Sequence, residues 1–521
     1  MTFVLVVVGR NIRNVMARIN KLLRYIFFFL PCFTALLLIL SYPKFNFGFL
    51  AWFALAPLTI SIWKAKNIKS ALITGLIAGF CFYAGILYWI YITMLAGGVS
   101  TGISILGWLA LSFVLSVEFI LISGLGFYLK KTGPLAYPYV FAAGWVLLEW
   151  IKIFLTAKAV WFPWFMLGYT QWQYIQIVQI VSLTGIYGLS FVVCLSGVLA
   201  GMFFVNSDKV PVKILRFSPA LLLMVGLFLY GNFELNQSEK YSYKSINFSI
   251  LQPSIDFYKK WDDNYVLWIK NRIDSLLEKT ENPDIIVWPE NSLPGWIDEP
   301  ELMVWLKKIS LKYKTQNIVG SASQLDGKYV SAFLLNDEGK IESYYNKRQL
   351  VPFGEYVPLR PLLSNFISVI GEFGEFEKGA MKQNLFKIGD IKIANAICYE
   401  SIFPYLLRDD VAEGADIFVN ITNDGWYLNT AAPHQHFLVN IFRAIENRRS
   451  LVRAANNGIS ALIDPWGRTI KKLDLNEYAV LNVQAPVYKD YGMSFYSKYG
   501  NWFVFCCLIL VGAFMIAVVI F

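Results

Sequence analysis

The sequence predicts a polytopic α-helical membrane domain joined to a layered α/β domain. The chain of 521 residues is 56% hydrophobic and 17% aromatic, which is far too apolar for an ordinary soluble protein. Apolar runs long enough to cross a bilayer occur before residue 233 and again after residue 499. Between them, short β-branched runs alternate with helical periods, a pattern typical of layered α/β domains.

About eight apolar runs are expected to span the membrane, seven before the water-soluble stretch and one after it. They lie near residues 25–40, 47–63, 71–95, 103–128, 135–155, 176–205, 217–232 and 500–521. The chain therefore divides into an N-terminal membrane domain at 1–232, a water-soluble domain at 233–499 and a C-terminal transmembrane helix at 500–521.

The formal net charge of +10 belongs to the membrane part, which argues against a nucleic-acid partner. Residues 233–500 hold 30 Lys+Arg against 33 Asp+Glu, leaving 16 against 3 elsewhere. Most of those 16 cluster in alternate short loops: Arg10, Arg13, Arg18, Lys21 and Arg24; Lys64, Lys66 and Lys69; Lys130 and Lys131; Lys209, Lys213 and Arg216. The positive-inside rule then predicts a cytoplasmic amino terminus. After seven crossings the water-soluble domain emerges on the far side of the membrane, which in a two-membrane bacterium is the periplasm.

The soluble stretch contains eight predicted strands and four predicted helices. The strands are expected at 246–251, 284–288, 317–321, 329–335, 391–397, 417–421, 451–456 and 459–464. The helices are expected at 262–279, 299–314, 404–412 and 434–448.

Cys398 is the one cysteine of six outside the long apolar runs, at the point where a predicted strand breaks into a turn. A single thiol in an oxidising compartment cannot form an internal disulfide, so it is a liability unless it has a function. Cys398 is therefore a candidate nucleophile. The alternative is a buried cysteine that acts as a small hydrophobic residue.

Two charged residues follow other predicted strands and are suited to activate a thiol. A thiol with an ordinary pKa near 8.5 needs a base or a positive field to attack. Glu290 is a candidate base, and Lys347 is a candidate for stabilising an oxyanion. Backbone amides between Cys398 and Pro404 could complete an oxyanion hole. Singly, Glu290 could also cap a turn, and Lys347 could belong to a solvated basic pair.

His434 and His436 are the only histidines, two positions apart at a predicted helix start. Side chains two apart on a helix diverge. We therefore interpret them as a helix cap and a surface residue, rather than as a metal pair or a Cys-His dyad. No metal site is expected.

Four motifs resemble those of the apolipoprotein N-acyltransferase family, a membrane branch of the nitrilase superfamily. They are Val-Trp-Pro-Glu290; Tyr-Tyr-Asn-Lys347-Arg with Leu-Val-Pro-Phe-Gly-Glu355-Tyr-Val-Pro; Ile-Cys398-Tyr-Glu-Ser; and Asn-Ile-Thr-Asn-Asp-Gly-Trp. The resemblance covers essentially the whole chain, membrane runs included.

The resemblance implies a nitrilase-like αββα sandwich and a Glu290, Lys347, Cys398 catalytic triad. It also implies supporting or substrate-binding roles for other residues near the triad. These are Glu355, Tyr399, Glu400 and Trp261. For Glu355 and Trp261, purely structural roles remain open alternatives. No cofactor is implied.

The implied reaction is a two-step acyl transfer. A membrane phospholipid, typically phosphatidylethanolamine, acylates Cys398 and leaves as a lysophospholipid. The N-terminal diacylglyceryl-cysteine of an apolipoprotein then takes the chain as an amide. The alternatives are a membrane-tethered amidase or nitrile hydrolase with the same triad, and a catalytically silent lipid-binding scaffold.

Two apolar loops are candidates for the lipid gate. The stretch 358–376 is apolar enough for a lid that dips into the outer leaflet, although an internal helix is an equal alternative. The aromatic loop 161–165 could meet that lid, or it could belong to an interfacial aromatic belt.

Overall fold

The computed structural model describes residues 29–158, 161–205, 208–256, 259–356 and 376–520. The predicted basic cluster between Arg10 and Arg24, and the predicted lid at 358–376 except for Phe376, lie outside the described residues.

The N-terminal part and the C-terminus are built from apolar helices. Within the described residues, four runs are long and apolar enough to cross a membrane: Ile68–Ile86, Thr101–Ala157, Ile186–Val205 and Val210–Lys240. Shorter apolar helices cover Phe29–Ser41, Gly48–Lys64, Ile175–Thr184 and Trp502–Ala517. These helices confirm a membrane domain, whereas the number of crossings stays a prediction.

Several predicted spans are broken in the structure. The predicted 71–95 span divides at Leu87 into Ile68–Ile86 and Tyr88–Ala96. The Thr101–Ala157 run consists of helices Thr101–Leu115, Val117–Leu129 and Gly133–Ala157. Hydropathy alone could not locate the breaks at Leu87 and Ser116, because the residues on both sides are apolar. The break at Lys130–Thr132 falls between the predicted spans 103–128 and 135–155.

The soluble domain contains two six-stranded sheets. The first has the order β12-β1-β2-β3-β4-β5 and the second the order β11-β10-β9-β8-β7-β6. The strands are β1 (Lys244–Gln252), β2 (Ile285–Val287), β3 (Gln316–Ser323), β4 (Tyr329–Leu335), β5 (Ile341–Asn346), β6 (Phe386–Ile388), β7 (Ile391–Ile397), β8 (Ile417–Thr422), β9 (Leu451–Ala455), β10 (Ala461–Ile463), β11 (Thr469–Lys472) and β12 (Ala479–Val487).

The two sheets face each other and carry helices on their outer faces. Their inner faces share one apolar core, in which Ile250 and Val287 of the first sheet join Ile393 and Val419 of the second. Helices Val266–Leu277 and Pro300–Tyr313 cover the first sheet through a second core. Helices Pro404–Ala412 and Ala432–Asn447 cover the second sheet. The expected αββα sandwich is confirmed.

The eight predicted strands and four predicted helices are all present, with small differences in their bounds. Four strands were missed: β5, β6, β11 and β12. All four lie on sheet edges, where one side is open and the hydrophobic pattern is weak. In β11, for example, every residue is exposed.

Helix Ala432–Asn447 joins the soluble domain to the membrane helices. Of its 16 residues, only His434 is not buried. Trp89 Nε1 donates to Gln435 Oε1 at 3.2 Å, and the N–H of Ile186 donates to Glu446 Oε1 at 3.0 Å. The outer face of the second sheet and the membrane helices thus form one continuous apolar core. This packing places the end of the sandwich that carries Cys398 against the membrane domain.

Candidate active site

The three predicted catalytic residues each lie just beyond the carboxyl end of a strand. Glu290 follows β2, Lys347 continues directly from β5, and Cys398 begins the turn after β7. β2 and β5 belong to the first sheet and β7 to the second. The packing of the two sheets therefore brings residues from distant parts of the sequence to one end of the sandwich.

Lys347 lies between two carboxylates. Its Nζ donates to Glu290 Oε1 at 2.9 Å and to Glu355 Oε1 at 2.5 Å. The second oxygen of Glu290 accepts the N–H of Asn423 at 2.8 Å, and that of Glu355 accepts the N–H of Val351 at 2.9 Å. All four carboxylate oxygens are therefore hydrogen-bonded. The Lys347 side chain is 0% exposed, so its position is fixed by these contacts.

Burial and ion pairing have opposite effects on the pKa values in this cluster. Burial alone would lower the pKa of Lys347, but Glu290 and Glu355 together raise it well above its usual value. Burial raises the pKa of Glu355, and Lys347 partly opposes that rise. Lys347 is therefore a fixed cation in a site of low polarity, where its field on a developing anion is strong.

The Cys398 thiol is buried on a strained turn. The residue is 6% exposed and has a φ of 51°, a left-handed conformation that is unusual for a non-glycine residue. Burial raises the pKa of the thiol well above its ordinary value; Glu290 adds to the rise and Lys347 opposes it. The thiol is thus protonated at rest, and attack requires a base beside it.

Glu400 links the strand ends that carry Lys347 and Cys398. Its carboxylate is fully buried and accepts the N–H groups of Arg348 and Gln349. The same carboxylate accepts the N–H of Ile397 at 2.7 Å and the hydroxyl of Tyr345 at 2.8 Å. Glu400 therefore contacts the backbone next to Lys347 and next to Cys398, so it fixes the position of one relative to the other.

Tyr399 turns the site toward the membrane domain. Its ring stacks on Trp164 with centroids 6.2 Å apart and lies edge-on to Phe403 at 5.2 Å. Among the described residues, no group bonds its buried hydroxyl. Trp164 lies in the aromatic loop 161–165 and is 4% exposed. At Trp164 and Phe165 this loop is packed against the soluble domain and the membrane helices, instead of forming an exposed interfacial belt.

The expectation that the histidines are a cap and a surface residue is wrong for His436. His436 is fully buried behind the nucleophile, because helix Ala432–Asn447 is enclosed on all sides. Its Nδ1 lies 2.8 Å from Asp424 Oδ1, and its Nε2 lies 3.1 Å from the carbonyl oxygen of Cys398. Arg453 donates to Asp424 Oδ2 at 2.9 Å. This chain of contacts supports the strained turn from behind. The other histidine, His434, is half-buried. The network around His436 was not predicted from the sequence.

Cys398, Asp424 and His436 also bring ligand-type atoms within 4.8 Å of one another. Their bonding does not fit a metal ion. Both ring nitrogens of His436 already contact oxygen atoms, and the Arg453 cation lies against Asp424. Although burial alone would raise it, His436 and Arg453 lower the pKa of Asp424 to about 2. The carboxylate charge is thus already compensated by protein groups.

Trp261 lies in a neighbouring cavity instead of in the triad. Its side chain is 45% exposed, and its ring lies 6.0 Å from that of Trp296. The buried Lys260 ammonium lies 4.1 Å from the Trp261 ring centroid. The cavity wall is close to the site along the chain, because the wall residues Pro294 and Trp296 follow Glu290 by a few positions.

Sequence reasoning missed Asp424 and Lys260. Asp424 stands two residues after β8, within the quoted motif Asn-Ile-Thr-Asn-Asp-Gly-Trp. Its position just after a strand, like those of Glu290 and Cys398, was a signal that could have found it. The burial of Lys260 had no signal in the sequence, because a lysine in Tyr-Lys-Lys-Trp-Asp reads as solvated.

Comparison with known proteins identifies the family. An apolipoprotein N-acyltransferase from Geobacter metallireducens is 35% identical over 94% of this chain and 94% of its own length. The chain belongs to the apolipoprotein N-acyltransferase family. Residues 34–199 match the family model described as the apolipoprotein N-acyltransferase N-terminal domain, and residues 249–488 match that described as carbon-nitrogen hydrolase.

A second relative agrees with this membership. An apolipoprotein N-acyltransferase from Rickettsia typhi is 33% identical over 87% of this chain and 90% of its own length. Among solved structures, an amidase of the nitrilase superfamily from Nesterenkonia is similar to 49% of this chain and 93% of its own, with 18% identity and a TM-score of 0.36. Membership in the apolipoprotein N-acyltransferase family confirms the resemblance drawn from the four motifs and makes the chain a bacterial membrane protein.

Proposed function

We propose that this protein is an N-acyltransferase that moves a fatty acyl chain from a membrane phospholipid to the N-terminal α-amino group of an apolipoprotein, by way of a Cys398 thioester. One observation carries the proposal. A buried, protonated thiol lies beside the Glu290, Lys347 and Glu355 cluster, and the next residue, Tyr399, stacks on Trp164 of the membrane domain. Thiol chemistry and access to lipid therefore meet at one place.

In the first step, Glu290 takes the proton of the Cys398 thiol as sulfur attacks the carbonyl carbon of the donor ester. The carbonyl oxygen becomes an oxyanion, which the Lys347 ammonium stabilises. When the intermediate collapses, the carbon–oxygen bond to glycerol breaks. Glu290 returns its proton to that oxygen. A lysophospholipid leaves, and the acyl chain stays on sulfur as a thioester.

In the second step, the α-amino group of the diacylglyceryl-cysteine attacks the thioester. Glu290 removes a proton from the attacking nitrogen, and Lys347 again stabilises the oxyanion. The carbon–sulfur bond breaks, sulfur recovers a proton from Glu290, and the amide is released. The covalent intermediate divides one difficult encounter of two lipids into two separate visits.

The membrane domain is needed because acyl chains cannot enter water cheaply. Each methylene exposed to water costs about 0.8 kcal/mol, so lifting a long chain out of the bilayer costs on the order of 10 kcal/mol. A site next to the membrane helices avoids that cost. Tyr399, Glu355 and Glu400 support the triad in this scheme, and Trp261 contacts the donor lipid.

The finer assignments belong to the same proposal. The donor is a phospholipid with an ethanolamine head group, and the acceptor is a diacylated apolipoprotein. The protein sits in the bacterial inner membrane with the catalytic domain, 233–499, in the periplasm. The charge distribution of the loops supports this orientation. Residues 1–232 and 500–521 form the membrane part.

Intact-protein mass spectrometry tests the reaction. We expect exposure of the purified protein to phosphatidylethanolamine to add one fatty acyl mass, located on Cys398. Addition of a diacylated lipopeptide should discharge that adduct and yield a triacylated peptide. The Cys398→Ala variant should do neither. Conversion that persists in this variant contradicts the nucleophile assignment, and hydrolysis of small amides without an acyl adduct would favour the amidase alternative.

A further inference from the structure

The cavity beside the triad contains a buried cation without a bonding partner. Lys260 is 3% exposed, and its Nζ makes no hydrogen bond within the described part of the chain. The ammonium lies over the face of the Trp261 ring, 4.1 Å from its centroid. An unpaired buried ammonium is costly, because the interior replaces none of the hydrogen bonds that water made. Such a group points to an anionic ligand that completes it.

Lys260 faces a cavity large enough for a small polar group. The cavity has a volume of about 340 Å³ and is lined by residues 260–263, 266 and 270 and by residues 294–296, 299, 301 and 302. Gly295 and Trp296 in its wall follow Glu290 by five and six positions. Trp296 also lies 6.2 Å from Phe376, whose N–H donates to the carbonyl oxygen of Glu355. The cavity wall is therefore linked to Glu290 along the chain and to Glu355 through the Phe376 hydrogen bond.

The electrostatics of the cavity agree with this connection. Burial lowers the pKa of Lys260 to about 7, and the charge of Glu290 opposes that shift. Lys260 is therefore close enough to the triad for its charge to interact with Glu290.

The rim of the same cavity carries the opposite charge. Asp263, Glu299 and Glu301 are exposed residues of the lining and are called its rim; they outnumber Lys270, the second lysine of the lining, which is partly buried. Glu299 Oε1 accepts the N–H of Trp296 at 2.8 Å, so its position is fixed. A purely anionic ligand would meet repulsion at this rim. A zwitterion with its anionic group inside and its cationic group outside matches both parts of the cavity.

We propose that this cavity binds the zwitterionic phosphoethanolamine head group of the acyl donor, with its phosphate on Lys260 and its ammonium at the Asp263, Glu299 and Glu301 rim. This inference rests on the proposed function, because the donor is the phospholipid that acylates Cys398. The indole rings of Trp261 and Trp296 flank the head group. The glycerol backbone then runs from Lys260 toward Cys398.

The first experiment compares two acyl donors in the full-length protein. The variants are Lys260→Met and, as a matched control, Lys259→Met, which makes the same change at the exposed neighbouring lysine. One donor is phosphatidylethanolamine in detergent micelles, and the other is p-nitrophenyl butyrate, an activated ester without phosphate. Acylation of Cys398 is followed by intact mass or by the burst of p-nitrophenol.

We expect Lys260→Met to slow acylation from phosphatidylethanolamine by about 10- to 100-fold, the loss of one charge-assisted contact. Acylation from the phosphate-free ester should stay within about twofold of wild type, as should both reactions in Lys259→Met. An equal loss with both donors would show that Lys260 acts through Glu290 and would overturn the proposal. So would an unchanged rate with the phospholipid. If the wild-type protein forms no adduct with phosphatidylethanolamine, the proposed function itself fails.

A second experiment tests the rim. The double variant Asp263→Asn with Glu301→Gln removes two carboxylates, and Asp337→Asn with Glu338→Gln makes the same changes at an exposed turn far along the chain. We expect wild type to prefer phosphatidylethanolamine over phosphatidylglycerol several-fold and the rim variant to lose that preference by accepting phosphatidylglycerol faster. A preference that survives in the rim variant would overturn the placement of the ammonium.

Discussion

Lys347 is the residue on which the electrostatics of the site depend. It neutralises two buried carboxylates that would otherwise repel each other, and it also opposes the effect of Glu290 on the Cys398 thiol. A buried charge that loses its partner costs far more than an exposed one, because no water replaces the lost contact. The ammonium therefore has a structural role in addition to its proposed part in catalysis.

Replacing Lys347 by Met should destabilise the fold by about 3 to 5 kcal/mol, the cost of breaking a buried ion pair. Lys382→Met is a matched control, since Lys382 pairs with Glu413 at 2.8 Å on the surface, where the loss is about 0 to 1 kcal/mol. Without the cation, burial holds the pKa of Glu355 still further above its unfolded value. Protonation of Glu355 then favours the folded state, so the loss of stability in Lys347→Met should be smaller at pH 5 than at pH 8. Thermal melting in detergent measures both effects, and an equal deficit at the two pH values contradicts this account.

The Cys398 thiol should react slowly with alkylating agents at neutral pH. Burial raises its pKa above the ordinary value of about 8.5, and the thiolate is the reactive form. We expect the rate of iodoacetamide labelling at Cys398 to keep rising above pH 9. The Cys398→Ala variant corrects for the other five cysteines. A plateau reached by pH 8 would indicate an ionised resting thiol and would remove the need for Glu290 as a base.

His436 should matter more than His434 although the two are neighbours in sequence. His436→Ala removes the contacts with Asp424 and the carbonyl oxygen of Cys398, and leaving such buried groups unpaired costs about 1 to 3 kcal/mol. It should also slow acylation, because the strained turn at Cys398 loses its support. His434→Ala, at a half-buried position, should change stability by about 0.5 kcal/mol or less. Melting temperatures and acylation rates of the two variants test this, and equal effects would argue against the network.

The Glu290, Lys347 and Cys398 triad was predicted from the resemblance of the motifs, because position after a predicted strand left other roles open for each residue. Sequence reasoning misplaced His436, since the burial of that side chain depends on helix Ala432–Asn447 being enclosed by membrane helices. Local spacing carries no information about that packing. Lys260 was missed because it stands between the exposed residues Lys259 and Trp261, and nothing in that local sequence indicates a buried lysine.

At the scale of elements, a polar cluster inside the membrane domain holds the aromatic loop 161–165 in place. Lys152 Nζ donates to the carbonyl oxygen of Phe165 at 2.5 Å and to Glu118 Oε2 at 3.2 Å. Trp161 Nε1 donates to Glu118 Oε1 at 2.6 Å. Ionisable residues among apolar helices are expensive and usually have a specific role. Here they fix the loop whose Trp164 stacks on Tyr399.

Lys152→Met should therefore impair acylation although, within the described residues, no hydrogen bond or ion pair joins Lys152 to Cys398 or Lys347. The variant leaves Glu118 without its cation and the Phe165 carbonyl without its donor, so the loop loosens. We expect phospholipid-dependent acylation to fall about tenfold, equivalent to roughly 1.4 kcal/mol. Lys158→Met, at the exposed end of the same helix, is the control. The double variant Lys152→Met with Glu118→Gln should recover part of the rate, because it removes the unpaired charge; no recovery would argue against charge pairing as the cause.

Element prediction worked where strands are buried on both faces and failed at sheet edges. β7 and β8 are buried along most or all of their length and were found within a residue of their bounds. β5 alternates between exposed and buried positions at one edge, and β12 at the other. β12 pairs with β1, which is far away in the sequence, whereas β5 forms a hairpin with the preceding β4. Both strands were missed because their hydrophobic pattern is weak. The helix breaks at Leu87 and Ser116 were missed because hydropathy does not change across them.

At the scale of the whole molecule, the catalytic sandwich is not an independent globule beside the membrane domain. One apolar core runs from Phe82 and Trp164 through Tyr399 to Phe442. Arg448 crosses the same boundary, with Nη1 donating to Gln179 Oε1 at 2.6 Å and Nη2 to Glu234 Oε2 at 3.0 Å. The nucleophile is thus supported by helices that belong to both parts of the chain.

This shared core predicts that residues 233–499 expressed alone will not behave as a soluble enzyme. Removing the membrane helices exposes the outer face of helix Ala432–Asn447, including Phe442, which is now 0% exposed and lies 5.0 Å from the Tyr169 ring. It also leaves Arg448 without Gln179 and removes most of helix Val210–Gln237, which carries Glu234. A contiguous apolar patch of this kind drives aggregation or membrane binding. We expect the fragment to be insoluble without detergent, whereas the full chain in detergent should unfold in one cooperative transition. A fragment that is monomeric by size-exclusion chromatography in plain buffer, with Cys398 still acylated by p-nitrophenyl butyrate, would show that the sandwich holds its own site and that the membrane helices serve lipid access alone.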